Sequence, residues 1–174
     1  MAILAESVVE EWLNRQRFFT IRGAKKGRNE MDVLAVRQEP TGVITGWHVE
    51  VQVGFGPIGY ITLWKGHSVV AHRTDEVMVD CVKKWVEKKF LSENIRELRE
   101  RLWGQVEWSF HLVHGVARYP AELELIGNHG VTLHPFYGVL ESLCADGEKL
   151  LTGSSGGDMA DIIRYYERTK HQAS

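Results

Sequence analysis

The chain has 174 residues, 44% hydrophobic and 25% charged, a balance that excludes a disordered or fibrous protein and fits one soluble globular domain over 1–174. A formal net charge of −2 argues against a globally basic nucleic-acid binder and leaves room only for a local basic patch. The two cysteines, Cys81 and Cys144, lie far apart and outside any CxxC or Cys/His cluster, which gives no support to a zinc site of that type and fits a reducing cytoplasm. The start, MAILAESVVEEW, lacks a basic region followed by a long apolar run, and no segment approaches the length of a membrane span. We expect a cytoplasmic protein with no signal peptide and no membrane partner.

In chain order, ILAESVVEEWLNRQRF (3–18) carries Leu4, Val8, Val9, Trp12 and Leu13 at helical spacing and predicts an amphipathic helix. FFTIRG (18–23) is a short β-prone run and AKKGRN (24–29) a basic turn. EMDVLAVR (30–37) and WHVEVQVG (47–54) read as strands joined by the hairpin-like QEPTGVITG. After the FGPIGY breaker, 60–74 holds at most a short strand at Thr62–Trp64. A helical pattern then runs from Asp75 to Phe90, with Val77, Val82, Trp85 and Val86 on its apolar side. Ser92 caps a further helix over 93–102. QVEWSFHLVHG (105–115) and AELELIGN (121–128) are expected strands, and HPFYGVLESLCA a helix. TGSSGGD (152–158) lacks the GxxxxGK[ST] pattern and reads as a loop ending in an Asp158 cap before a closing helix. The whole is one mixed α/β domain.

The stretch HVEVQV (48–53) alternates three valines with His48, Glu50 and Gln52, so one face is apolar and the other carries a histidine, a carboxylate and an amide. On the preceding strand Asp32 shares a side with Leu34 and Val36. Paired as a hairpin, the two strands bring Asp32 and Glu50 together, and two adjacent carboxylates repel unless one is protonated or a cation joins them. Mg²⁺, with its oxygen ligands and retained waters, would remove that conflict. The bland reading of the same residues is a pair of exposed carboxylates on the wet face of an antiparallel sheet.

An acidic residue on the first helix, then NEMDVLAV, then HVEVQV resembles the PD-(D/E)xK nuclease superfamily, most closely its Holliday-junction-resolvase-like group. The resemblance covers roughly 5–53. It implies a restriction-endonuclease-like α-β-β-β-α-β core and a metal-dependent nuclease acting on DNA as a homodimer, with Mg²⁺ or Mn²⁺ held by Asp32, Glu50, the Val51 carbonyl and Glu6. Glu10, one turn further along the helix, competes with Glu6 for that role. The motif lysine falls on Gln52, which can orient a water but brings no positive charge; Lys25 or Lys26 would supply that charge. The basic run RQRFFTIRGAKKGR (15–28) suggests a phosphate-contacting lip of Arg22, Lys25, Lys26 and Arg28. KKWVEKKF (83–90) reads as a solvated lysine face, His48 as a hydrogen-bonded neighbour of Glu50, and Trp12, Trp85, Trp103 and Trp108 as packing residues. Glutamine at 52 also keeps open a catalytically silent member of the fold, serving as a nucleic-acid- or protein-binding subunit. A small-molecule enzyme on an unrelated α/β fold would leave the three acids scattered in space.

Overall fold

Apolar residues on both faces of the second and third strands demand cover on both sides, and the computed structural model supplies it. It describes residues 2–145, apart from 28, 55, 68–70 and 105, together with 157–159, 161–163 and 165. The first helix, α1 (Ala2–Arg15), leads into an antiparallel meander of β1 (Phe19–Lys26), β2 (Asn29–Gln38) and β3 (Ile44–Gln52). The β2–β3 connection closes with Gly42 N–H donating to Glu39 C=O at 2.8 Å and Gly42 at φ +85°. That left-handed position suits glycine and fixes the hairpin register.

A long crossover follows. It holds α2 (Asp75–Val86), a five-residue π-helical turn (Glu87–Leu91) and α3 (Glu93–Trp103), and returns the chain as β4 (Glu107–His114), parallel to β3. Then α4 (Pro120–Asn128) crosses to β5 (Val131–Pro135), parallel to β4, and α5 (Phe136–Ala145) follows. The sheet order is β1-β2-β3-β4-β5, antiparallel at one end and parallel at the other. On one face, Val8, Val9 and Leu13 of α1 and Val139 and Leu143 of α5 pack on Val33, Ala35, Val49, Val51 and Val113. On the other, Val82, Trp85, Val86 and Phe90 cover Leu112, Ile126 and Val131, while Ile95 and Leu98 cover Met31 and Leu34.

Several expectations change. Residues 121–128 are helical, not a strand: Pro120 sits at the first helical position, which suits its fixed φ and missing N–H, and Glu122 and Ile126 lie one turn apart on the buried side. The last strand is instead 131–135, and its final two residues, His134 and Pro135, take the place of the expected start of the helix. Lys25 and Lys26 belong to β1 rather than to a turn. Thr62–Trp64 is not a strand; an isolated bridge joins Ile58 to Ala117. Ser92 precedes α3 in an extended conformation, yet its hydroxyl makes no capping hydrogen bond and reaches back to Lys88 C=O at 3.2 Å. The Gly/Ser loop before Asp158 lies outside the described residues, whereas 157–159 and 161–163 are helical. No described helix is long and apolar enough to cross a membrane.

Candidate active site

The β2–β3 ladder pairs Val33 with Val49 and runs toward the hairpin. Continuing that register sets Asp32 opposite Glu50, but here the ladder ends. Asp32 Oδ2 fills the gap by accepting the Val51 N–H at 2.8 Å. In a strand, a residue's N–H and C=O face the same neighbour, so the Val51 carbonyl lies on the Asp32 side as well.

The polar face of HVEVQV is not wet. His48 and Glu50 are both 0% exposed, beneath the π-turn and α3. Glu50 keeps its charge company in two ways. His48 Nε2 lies 3.2 Å from Glu50 Oε1, and the Lys89 ammonium from the π-turn forms an ion pair with Oε2 without the alignment of a good hydrogen bond. Behind them Arg99 Nη1 lies 3.0 Å from His48 Nδ1 and 2.8 Å from the Phe90 carbonyl. A guanidinium can only donate, so His48 Nδ1 is the acceptor and Nε2 carries the proton given to Glu50. Burial first, then the Arg99 and Lys89 charges, holds His48 well below the usual histidine range and keeps it neutral.

The two carboxylates are raised together. Burial, then the Glu50 charge, pushes Asp32 up to about 6, against the opposing pull of the Val51 N–H and Lys89. Burial pushes Glu50 up to about 7, with Lys89 working the other way. Glu6 is raised as well, by burial and then by Asp32. Glu10 is engaged elsewhere, accepting from Thr20 at 3.3 Å and pairing with Arg22 at 3.3 Å. Glu6 is the helix acid on which the Asp32 charge acts.

Among the described residues no three His, Cys, Asp or Glu side chains are grouped to hold a metal ion. The acids that meet are therefore two rather than three, Asp32 and Glu50, with the Val51 carbonyl beside them. That all-oxygen set fits a hard cation such as Mg²⁺, which takes one or two carboxylates and keeps several waters. Burial raises both carboxylates, and at Asp32 the Glu50 charge adds a conflict that a cation would relieve. Glu6 stands at the rim as a third negative charge.

The basic lip is less available than the sequence suggests. Lys25 pairs with Glu30 at 3.1 Å, Lys26 with Glu97, and Arg22 with Glu10 and the Ser7 hydroxyl. Arg28 lies outside the described residues. None of the three described cations contacts Glu50; that role belongs to Lys89, which the reading of 83–90 as a solvated face hides. Its position carried a signal. Lys89 falls four residues after Trp85 and three after Val86, on the buried stripe of the helix, where a lysine needs a partner. Gln52, half-buried at the end of β3, shares the Glu50 face by strand period. Comparison with protein-family models, with curated proteins and with solved structures finds no match.

Proposed function

We propose that this chain is a metal-dependent nuclease built on a restriction-endonuclease-like core. The observation that carries the reading is the meeting of Asp32, Glu50 and Lys89, from β2, β3 and the π-turn, at one break in the β2–β3 ladder. The element order supports it: a helix, three antiparallel strands, a helical crossover and a parallel fourth strand. Asp32, Glu50 and the Val51 carbonyl would hold Mg²⁺ or Mn²⁺, which would supply a more acidic water and neutralise charge on a phosphodiester.

The chain's own groups do the rest. Lys89 takes over the charge missing at Gln52, beside Glu50 rather than two residues along its strand, and can donate to a phosphate oxygen. Gln52 orients a water through its amide. The Arg99–His48 pair fixes the orientation of Glu50. The proposed substrate is DNA, and the proposed working unit is a two-fold homodimer that brings one site to each strand. A silent, binding-only subunit is the competing reading, favoured by a Glu50 whose two oxygens already have partners.

Labelled DNA and RNA structures incubated with Mn²⁺ or Mg²⁺ separate the two. Wild type should cut, Asp32→Ala should not, and Lys89→Gln should fall by about 10²–10³-fold, the cost of losing one donor to developing charge. A folded wild type that cuts nothing selects the silent subunit. Equal cutting by wild type and Asp32→Ala removes this site from the chemistry.

A further inference from the structure

A cavity of about 230 Å³ opens between the C-terminal half of α3 and the start of β4, lined by Arg96, Arg99, Glu100, Gly104, Val106 and Trp108. Trp108 pairs with Gly46 in the sheet, and Leu112 with Glu50. Four residues of strand, about 13 Å, therefore separate this cavity from the carboxylate pair.

Arg99 is the unusual group. It is 5% exposed, and its Nη1 is committed to His48 Nδ1 and the Phe90 carbonyl, both uncharged. Its Nε is buried without a hydrogen-bond partner. Among the described residues neither Arg99 nor Arg96 forms an ion pair. The lining thus holds two guanidinium groups against the single carboxylate of Glu100. A buried cation without a counter-charge is costly, and the guanidinium fork matches an oxyanion in shape and charge.

We propose that this cavity is an anion site for a phosphoryl group, held by Arg96 and Arg99 in its wall, and coupled to Glu50 through His48. Gly46 helps make the room: a Cβ there would lie 2.7 Å from Val106 Cγ1 and 2.8 Å from Trp108 Cε3. Binding does not require the chain to cut nucleic acid, because it rests on Arg96, Arg99 and the cavity alone. Free phosphate and the phosphorylated end of a nucleic-acid strand present the same chemistry.

The test is an NMR titration of the isotopically labelled full chain with inorganic phosphate at constant ionic strength, with NaCl as the control. A parallel arm uses a short oligonucleotide with and without a 5′-phosphate. Saturable shifts of the Arg99 Nε–H and His48 ring signals are expected in wild type. Arg96 is exposed, so Arg96→Ala keeps the fold and should weaken binding about tenfold, as for the loss of one charge-assisted contact. Binding of the 5′-phosphorylated strand, and not of its unphosphorylated twin, identifies a nucleic-acid end as the source; binding of inorganic phosphate alone identifies a free anion. The proposal fails if neither probe shifts these signals, if NaCl shifts them equally, or if Arg96→Ala binds as tightly as wild type.

Discussion

His48 does more than neighbour Glu50. Every polar atom of its ring is used, one nitrogen by Arg99 and the other by Glu50, inside a fully buried environment. Replacing it by an apolar ring of similar size would leave a carboxylate oxygen and a guanidinium donor without partners. His48→Phe should therefore lose about 2–4 kcal/mol of stability in urea unfolding. Asp32 points the other way. Its carboxylate faces Glu50 in partial burial, and an amide keeps an oxygen for the Val51 N–H while removing the like charge. Asp32→Asn should raise stability at pH 7 by about 1 kcal/mol, read as a higher urea midpoint, because it removes one of two buried like charges. A lowered midpoint would show that the charge serves the fold.

At the scale of elements, the π-turn is what delivers the cation. Ser92 N–H donates to Glu87 C=O at 2.7 Å, a five-residue step that inserts one residue into the helix. The extra residue lets Lys89 reach Glu50 while Phe90, next along the chain, is fully buried against Trp85 and Phe110. Phe90→Ala should cost about 3–5 kcal/mol in chemical denaturation, and it should also free the Lys89 segment. The segment after β3 is pinned at its other end. Glu122 of α4 accepts from Ile61 N–H at 2.7 Å, Thr62 N–H at 3.0 Å and the Thr62 hydroxyl at 2.6 Å, and Arg73 donates to the Thr62 carbonyl at 2.7 Å. This buried network explains why α4 is helical where its sequence alternates like a strand: a helix brings Glu122 to Thr62 and Ile126 to the core from one side.

For the whole molecule, a histidine pair on the α1 face of the sheet should contribute to acid sensitivity. His111 Nδ1 lies 3.0 Å from His134 Nε2, and the Trp47 ring stacks on His111 at 3.9 Å. Burial first, then His134, pulls His111 down to about 3, so it stays neutral in the folded chain while the unfolded chain takes up a proton near 6.5. The unfolded state thus binds more protons across that window, and the stabilisation present above about pH 6.5 is lost as pH falls toward 3. Asp32 and Glu50, raised to about 6 and about 7, act in the opposite sense over the same window. The check is therefore a difference between proteins. Between pH 7 and pH 4, His111→Phe should lose less urea stability, or gain more, than wild type; an equal change in both would assign acid sensitivity to other groups.

The alternating valines, the helical spacing of α1 and the order of Glu6, Asp32 and Glu50 were legible in the sequence, because strand and helix periods are local and repeat every two or three to four residues. Those same periods misread 121–128 and missed 131–135, where burial of Glu122 and parallel pairing with β4 outweigh local pattern. Tertiary structure alone decided the charge balance at Glu50. Lys89 and Arg99 lie 39 and 49 residues further along the chain, and only the fold of the crossover over the sheet brings Lys89 to Glu50 and Arg99 to the His48 ring beside it. No local period encodes such a meeting, since it depends on which helix covers which strand and on one inserted residue in a helical turn.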